Sequence, residues 1–433
     1  MKIGFVSMPL AGHLNPMTAL ASKLQSRGHE IVFIGVPDAG PTVRAAGLKF
    51  VPYCEQEFPE GSGAGALAPL ARLHGPEVTR LTIGGAGRAI FQAASEHLPR
   101  VLAETGVEAL VIDTIHMYLE VVPMSMGIPH AHVWNILNID FSGATPPSVV
   151  PGLYEDTPAG RTRNLEALKE SDNAFFGLVQ ELAEPWAERA GLKLDWSDPA
   201  ATVSRHAVAV VSQTPKEFDY SGIPWPKHFH YAGPFFDDVC REPIPFPWEK
   251  LDRRPLVYAS LGTLVNGMPS IYKTILSAVG RIPEIQVVLS KGNNIELADL
   301  GPIPSNVIVV NKAPQLDLLR RAALCITHAG LNTTLESLAQ GVPMAAIPIA
   351  YDQFGVADRI AYHGVGEAIQ VDELTVDGLY QLIQKIRNTS AYRENALRFK
   401  NIIAQRRGLN VAAEAIESAF EQALKKRPEL VRA

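Results

Sequence analysis

Residues 2–36 read KIGFVSMPLAGHLNPMTALASKLQSRGHEIVFIGV, and this stretch decides the fold class. The apolar run from Lys2 to Ser7 predicts a buried strand, and apolar residues then recur at helical spacing from His13 until Gly28. A second apolar run at residues 30–36 predicts another buried strand. Strand, helix and strand in this order form a βαβ unit, which predicts a parallel sheet and an α/β fold.

The same alternation continues along the chain and then restarts after a proline-rich stretch. Further strands are predicted at Ala109–Asp113, at His130–Trp134 and at 207–212, and residues 140–200 form a helical insertion that we expect to bind the acceptor. After the prolines of 230–248, strands are predicted at 255–261, 285–290, 307–310, 323–327 and 342–347. The chain is therefore expected to hold two Rossmann-like domains, 1–232 and 251–410, joined by a linker at 233–250, with a final helical segment at 411–433 that can pack back on the first domain.

Composition excludes several classes of protein. Hydrophobic residues make up 47% and charged residues 19% of the 433 residues, and the formal net charge is −6, so no nucleic-acid partner is expected. No run of about 18 apolar residues predicts a transmembrane segment. Three cysteines without metal-binding spacing (Cys54, Cys240 and Cys325) are typical of reduced thiols in a cytoplasmic enzyme. The oligomeric state is left open.

The most informative segment is residues 312–353, KAPQLDLLRRAALCITHAGLNTTLESLAQGVPMAAIPIAYDQ. A strand at 323–327 runs into a turn at 328–332, and the helix that follows carries Leu335 and Leu338 on one face. A helix that starts at the carboxyl end of a parallel strand directs free N–H groups and a positive dipole into the sheet crevice, where they can bind phosphate. The alternative is that Asn332 or Thr333 only caps the helix and His328 is an ordinary turn residue.

This segment resembles the nucleotide-sugar signature of family 1 glycosyltransferases, the UDP-glycosyltransferases. The residues that carry the resemblance are Ala313, Pro314, Gln315, His328, Gly330, Asn332, Thr333, Glu336, Gly341, Val342, Pro343, Met344, Pro348, Asp352 and Gln353. The resemblance implies the GT-B arrangement, in which two Rossmann-like domains face a cleft. It also implies that Ala313 and Gln315 contact the uracil and its ribose and that Glu336 binds the ribose hydroxyls. By the same resemblance His328, Asn332 and Thr333 hold the pyrophosphate, and Asp352 and Gln353 bind the sugar. Gly330 and Leu331 are also expected among the donor-binding residues.

Two departures from the family bear on the donor. Lys312 stands where plant members usually stack a tryptophan on uracil, and Val356 replaces an asparagine that follows the terminal glutamine. A second loop, residues 259–263, resembles the Gly-Ser/Thr loop of the family. Through Gly262 and Thr263 it is expected to contact the β-phosphate.

The base is expected in the first domain. His13 lies between the first strand and the first helix, where the family places its catalytic histidine, and Asp113 ends a neighbouring strand. Both positions fall at carboxyl ends of parallel strands, on one edge of the sheet. The hypothesis is a dyad in which His13 Nε2 accepts the acceptor's proton while Asp113 orients the ring. The alternatives are that His13 is a helix-start residue and that Asp113 caps a turn.

These residues predict an inverting glycosyltransferase that moves a hexose, glucose first, from a UDP-sugar to a hydroxyl of a small hydrophobic acceptor such as a carotenoid, macrolide, flavonoid or other phenol or alcohol. The UDP-sugar is a co-substrate, and no metal or other cofactor is expected. The aromatic candidates for the acceptor wall are Phe91, Trp134, Phe141 and Phe176, each of which can equally be a core residue. The alternatives are a UDP-sugar epimerase on the same fold and a non-catalytic nucleotide-sugar-binding protein.

Overall fold

Two parallel β-sheets organise the chain. The computed structural model describes residues 1–195, 205–236 and 244–426, apart from the side chains at positions 64, 66, 67, 170–176 and 178. The first sheet has seven strands in the order β3-β2-β1-β4-β5-β6-β7, and the second has six in the order β10-β9-β8-β11-β12-β13. Every neighbouring pair is parallel, as expected from the apolar strands.

The strand bounds follow the apolar runs. In the first sheet they are β1 Lys2–Val6, β2 Glu30–Gly35, β3 Lys49–Pro52, β4 Ala109–Asp113, β5 His130–Trp134, β6 Ala209–Ser212 and β7 Phe229–Tyr231. In the second they are β8 Leu256–Ser260, β9 Gln286–Ser290, β10 Val307–Val310, β11 Ala322–Thr327, β12 Met344–Ala346 and β13 Gly366–Ala368. The central strands β4, β5, β8 and β9 are buried at every residue, which explains why their sequences are mostly apolar.

Helices cover both faces of each sheet. Those of the first half are α1 Ala11–Ser26, α2 Gly40–Ala45, α3 Ser62–Leu67, α4 Glu77–Thr82, α5 Arg88–Thr105, α6 Val121–Ser125 and α7 Pro158–Arg189. Those of the second half are α8 Pro269–Gly280, α9 Gln315–Leu319, α10 Leu331–Gln340, α11 Gln353–Tyr362, α12 Val376–Asn388, α13 Ser390–Gln405 and α14 Gly408–Lys425. Among the residues that the structure describes, no helix combines the length and the apolar composition needed to cross a membrane.

The strand orders place a topological switch point in each sheet. The chain runs from β1 outward to β3 and then returns to place β4 on the other side of β1; in the same way β8 lies between β9 and β11. Loops that leave β1 and β4 diverge to opposite faces of the sheet and open a crevice between them, and the same holds for β8 and β11. In open α/β sheets this crevice at the carboxyl ends of the strands is where ligands bind.

The last helix packs on the first domain. Ala413, Ile416 and Phe420 of α14 share a buried apolar cluster with Phe5 of β1 and Leu20 of α1. Glu417 of the same helix accepts hydrogen bonds from Arg27 and His29, at N···O distances of 2.7 and 2.8 Å. We retain the division 1–232, 233–250, 251–410 and 411–433 as a proposal, with the note that α14 begins at Gly408 and that residues 237–243 of the linker lie outside the described residues.

Candidate active site between the two domains

His13 and Asp113 meet at the switch point of the first sheet. His13 lies in the first turn of α1, directly after β1, and Asp113 is the last residue of β4. The distance from His13 Nδ1 to Asp113 Oδ2 is 2.8 Å. Because Nδ1 is engaged by the carboxylate, Nε2 is the ring nitrogen left to accept a proton from a substrate.

The Asp113 carboxylate is fully buried and is held by two further donors. The Ser7 hydroxyl donates to Oδ2 at 2.7 Å, and the Ile115 backbone N–H donates to Oδ1 at 3.4 Å. Burial alone would raise the pKa of Asp113, but the charge and hydrogen bond of His13, together with the Ser7 hydrogen bond, bring that pKa below its ordinary value. Asp113 is therefore ionised at neutral pH and acts as a fixed negative charge beneath the imidazole.

The electrostatic surroundings make His13 a stronger base than a free histidine. Burial lowers the pKa of His13, but the charge and hydrogen bond of Asp113 outweigh it, and Asp352 adds to the same effect, so that the pKa is raised. Asp352 belongs to the second domain, so its effect shows that a carboxylate from across the cleft lies near the imidazole. An imidazole whose protonated form is stabilised in this way is suited to general-base chemistry.

The N-terminus of α10 faces the same cleft from the second domain. This helix begins at Leu331, and its N-cap, Gly330, offers no side chain to bond the first N–H groups. The preceding residue, Ala329, adopts a left-handed backbone with φ of 61°, an uncommon conformation for a residue with a side chain and one found often at functional sites. The turn therefore directs the uncapped N–H groups of the first helical turn outward, where an anion can accept from them.

His328 is clamped between two glycines of this site. A Cβ atom on either Gly262 or Gly330 would lie 2.5 Å from His328 Nε2, so neither position accepts a side chain without displacing the ring. Gly262 also has a φ of +76°, which glycine adopts without strain. Burial lowers the pKa of His328 to about 4, against the opposing effect of the Ser260 backbone. His328 is therefore neutral at pH 7 and can contribute a hydrogen bond, but not a positive charge. Thr263, which directly follows Gly262, is exposed.

Gln315, the first residue of α9, links this helix to α10. Its Nε2 donates to Glu336 Oε2 at 2.6 Å and to Thr333 Oγ1 at 3.3 Å, and its Oε1 accepts from the Tyr258 hydroxyl at 3.0 Å. Ala313 is buried beside this group. The structure thus brings together the four residues predicted for the base, ribose and phosphate of the donor, and it adds Tyr258 as a residue that fixes the amide of Gln315.

Asp352 and Gln353 lie at the start of α11. Gln353 Oε1 accepts from the backbone N–H groups of Ile349 and Ala350, at 2.8 and 3.0 Å, which leaves Nε2 as the atom able to donate to a ligand. Asp352 Oδ2 accepts from the backbone N–H of Leu137, in the first domain, at 2.8 Å. Burial raises the pKa of Asp352 above its ordinary value.

Direct hydrogen bonds join the two domains across one cleft. Asn332 Nδ2, in the first turn of α10, donates to the carbonyl of Gly12 at 2.7 Å, and Gly12 immediately precedes His13. Gln213, which follows β6 of the first domain, donates from Nε2 to Asn332 Oδ1 at 2.8 Å. The helix terminus predicted to bind phosphate and the histidine predicted to be the base therefore occupy adjacent walls of a single site.

Comparisons with known proteins agree with this arrangement. Residues 219–409 match the family model described as UDP-glucoronosyl and UDP-glucosyl transferase. The zeaxanthin glucosyltransferase of Pantoea ananas is 27% identical over 366 residues, covering 84% of this chain and 83% of the relative. The oleandomycin glycosyltransferase of Streptomyces antibioticus is 26% identical over 418 residues, covering 96% and 90%. The matched region therefore resembles the UDP-glycosyltransferase family, and the relatives of the whole chain are glycosyltransferases. The chain is an enzyme of the hexosyltransferase class.

Solved structures show that this chain has the GT-B fold. The glycosyltransferase of kitacinnamycin superposes with a TM-score of 0.74 at 21% identity and covers 96% of this chain and 98% of its own. The calicheamicin glycosyltransferase CalG4 superposes with a TM-score of 0.68 at 22% identity, covering 97% and 98%. The predicted resemblance to the UDP-glycosyltransferase family, the fold class and the enzyme class are thus confirmed.

The aromatic residues proposed for the acceptor wall of this glycosyltransferase do not lie together on one surface. Phe91 is 1% exposed and packs edge-on against Tyr118 in the apolar cluster beneath α5, with ring centroids 4.4 Å apart. Trp134 is 3% exposed and packs among aromatic side chains near β7. In both cases tertiary packing places the ring in the interior of the domain and not at an open wall. Phe141 is half-buried, and Phe176 lies on α7 at a position whose side chain is outside the described residues.

Sequence reasoning missed several residues of this candidate site. Ser7 and Gln213 were not among the predicted residues, and neither was Tyr258. A positional signal existed for the first two. Ser7 ends the first predicted strand, and Gln213 directly follows the strand predicted at 207–212. Carboxyl ends of parallel strands share one edge, so polar residues there are candidates for the site even without a motif. No such signal exists for Tyr258, which lies within β8.

Proposed function

We propose that this enzyme is an inverting, metal-independent glycosyltransferase that moves a hexose, glucose first, from a UDP-sugar to a hydroxyl of a small hydrophobic acceptor. The observation that carries the proposal is the hydrogen bond from Asn332 to the Gly12 carbonyl, which brings the helix terminus proposed to bind phosphate beside the His13–Asp113 pair. A base and an anion site on opposite domains of one cleft are the two elements that a direct displacement at the anomeric carbon requires.

In the proposed mechanism His13 Nε2 removes the proton from the acceptor hydroxyl, and the oxygen attacks the anomeric carbon from the face opposite the UDP. The C–O bond to the β-phosphate breaks as the new C–O bond forms, so the configuration at that carbon inverts. Asp113 stabilises the positive charge that develops on the imidazole, as the buried carboxylate does in a catalytic triad. Its hydrogen bond of 2.8 Å to Nδ1 holds the ring in the required tautomer.

The departing diphosphate gains negative charge, and we assign its stabilisation to the protein. The uncapped N–H groups at the start of α10 supply a positive dipole, and the Thr263 and Thr333 hydroxyls add hydrogen bonds. His328 contributes as a neutral donor, because burial keeps its pKa at about 4. The test of metal independence is direct: added Mg²⁺ should leave the transfer rate unchanged, and a strict requirement for Mg²⁺ would contradict this assignment.

The preference for UDP over TDP is argued from Glu336. Its side chain is 2% exposed, and Gln315 already donates to its Oε2, which fixes the carboxylate in one orientation. A fixed carboxylate can accept hydrogen bonds from both hydroxyls of a ribose, whereas the deoxyribose of TDP offers only one. Asp352 and Gln353, which belong to the same domain as Glu336, are proposed to bind the sugar hydroxyls.

The proposal is tested by incubating the protein with UDP-glucose or TDP-glucose and a panel of phenols, macrolides and apolar alcohols. A hexose mass increment on an acceptor supports transfer, and a product anomer opposite to that of the donor, assigned by NMR, supports inversion. Retention of configuration would refute the single-displacement mechanism. Interconversion of the donor alone would identify an epimerase, and nucleotide-sugar binding without turnover would identify a binding protein.

His13→Ala provides the matching test of the base. We expect a loss of roughly 10²- to 10⁴-fold in kcat, the range typical of a general base, with UDP affinity by calorimetry close to that of the wild type. His29→Ala, which removes an imidazole bound to Glu417 on the far side of α1, is the control and should retain full activity. Normal turnover by His13→Ala on an alcohol acceptor would show that His13 is not the base.

A further inference from the structure

Three metal-ligand side chains converge in the interior of the first domain, away from the transfer site. Glu120 ends the short 3-10 segment Thr114–Glu120 that follows β4, and His130 and His132 lie on β5. The two histidines are two residues apart on a strand and therefore point to the same face of the sheet. All three are buried: Glu120 is 6% exposed, His130 2% and His132 0%.

The geometry of this group is close to that of a metal site. Glu120 Oε2 lies 3.3 Å from His130 Nε2 and 3.0 Å from His132 Nε2, and all three atoms lie within 4.8 Å of one another. Around zinc, nitrogen and oxygen ligands at about 2.0–2.2 Å in a tetrahedron are separated by about 3.3 Å. The two N···O separations therefore match the edges of a tetrahedral coordination shell, and two imidazoles with one carboxylate are a donor set that zinc uses.

The interior leaves part of this group's polar capacity unused. Both imidazoles contact a single carboxylate oxygen, Glu120 Oε2, and among the described residues His132 Nδ1 has no hydrogen-bond partner. Buried charged and polar groups are costly unless they are paired, hydrogen-bonded or bound to a metal ion.

We propose that Glu120, His130 and His132 bind one divalent transition-metal ion, zinc in the first instance, through Oε2 and the two Nε2 atoms. The ion would cross-link β5 to the segment that begins directly after Asp113, and its role would be structural. This site is separate from the proposed transfer chemistry, which needs no metal. Failure of one proposal therefore leaves the other intact.

A second group of potential ligands in the described part of the chain, Cys54, Glu57 and His97, is less suited to a metal. Burial raises the pKa of the Cys54 thiol to about 12, so the thiolate that binds metals is disfavoured. Glu57 and His97 are bonded to each other at 2.8 Å near the surface. This group supplies a matched control, because it contains the same imidazole and carboxylate ligands outside the interior.

The test uses the full-length chain without a histidine tag, freed of metal by dialysis against a chelator. We expect titration with Co²⁺ to give the visible bands of tetrahedral coordination at one equivalent per chain. Zn²⁺ should abolish these bands by displacement, and it should raise the Tm by an amount that grows with the logarithm of its concentration relative to the Kd. Absence of a saturable one-equivalent site for both ions would overturn the proposal.

Two variants locate the site. Glu120→Gln keeps the size of the side chain and its capacity to hydrogen-bond, and it should bind Zn²⁺ at least about 100-fold more weakly than the wild type. His97→Gln should bind Zn²⁺ with unchanged affinity and stoichiometry. The reverse result, with metal lost in His97→Gln and retained in Glu120→Gln, would refute the assignment. If Glu120→Gln does not fold, His97→Gln decides the question alone. Retention of the one-equivalent Co²⁺ spectrum by His97→Gln supports the buried site, and loss of that spectrum refutes the assignment.

Discussion

Replacement of Asp113 by asparagine tests the electrostatic argument at the centre of the proposed mechanism. The substitution preserves the shape of a fully buried side chain and removes its negative charge. The oxygen that remains can face either His13 Nδ1 or the backbone N–H of Ile115, but not both. The amide side chain of Asp113→Asn is therefore expected to hold the ring less well and to leave the developing imidazolium without a counter-charge.

The magnitude follows from the separation of the charges. A hydrogen bond of 2.8 Å between His13 Nδ1 and Asp113 Oδ2 places the two charge centres about 4 Å apart. At an effective dielectric constant of about 20, this attraction amounts to about 4 kcal/mol. Since about 1.4 kcal/mol corresponds to a factor of ten in rate, full development of the imidazolium in the transition state predicts a loss of about 10³-fold in kcat. Partial proton transfer reduces the expected loss toward about 10²-fold.

The pH profile supplies a second, independent readout. A base acts in its deprotonated form, so kcat/KM should rise with pH through the pKa of His13. In the wild type Asp113 raises this pKa. Removal of its charge must lower the pKa, and the acidic limb of the profile should move to lower pH while the plateau falls.

The assay is the initial rate of hexose transfer to a phenol acceptor, measured from about pH 5 to about pH 9 at saturating UDP-glucose, a range that spans the titration of a histidine. Asp156→Asn, a change at an exposed aspartate, is the control for the loss of a carboxylate and should leave the profile unchanged. Circular dichroism establishes that both variants are folded. A plateau rate within a few-fold of the wild type, or an acidic limb that moves to higher pH, would refute the reasoning.

Three further substitutions probe the rest of the site. Ser7→Ala removes one charge-assisted hydrogen bond from Asp113, worth about 1.5–3 kcal/mol, and should lower kcat about tenfold or more without changing the KM for the donor, as steady-state kinetics can measure. Gly330→Ala places a Cβ atom 2.5 Å from His328 Nε2, and calorimetry should show UDP affinity weakened at least about tenfold; unchanged affinity would mean that the ring is not clamped. Glu336→Gln should raise the KM for UDP-glucose more than that for TDP-glucose, and an equal effect on both would remove the argument from the ribose hydroxyls.

The sequence predicted the elements whose signals are local. The βαβ unit at the N-terminus and the buried strands β4, β5, β8 and β9 were placed correctly, because parallel strands covered on both faces are apolar throughout. Three short strands, β3, β7 and β13, were not predicted. They lie at or near the sheet edges, and they are partly exposed, so their sequences lack a continuous apolar run.

The position of the proposed site followed from a simple geometric rule, whereas the nature of its walls did not. His13 and Asp113 could be paired because both follow parallel strands next to the switch point. The aromatic candidates for the acceptor wall do not lie together in the structure. The sequence could not predict this, because nothing in it distinguishes an aromatic residue of the core from one that lines a cleft. Phe91 and Trp134 show this, since both are buried in the first domain by contacts with residues far along the chain.

Contacts between the domains involve the same side chains that are proposed to bind the donor, and this has a mechanistic consequence. Asn332 bonds Gly12 and Gln213 of the first domain, and Asp352 accepts from the N–H of Leu137. Each of these polar groups must either share its partner with the donor or exchange it, because a buried donor or acceptor left without a partner costs about 1–3 kcal/mol. Binding of the donor and the angle between the domains are therefore coupled through Asn332 and Asp352. A substitution at either residue should change both the affinity for UDP-sugar and the domain closure seen by small-angle scattering, whereas a residue that only binds the donor would change the first alone.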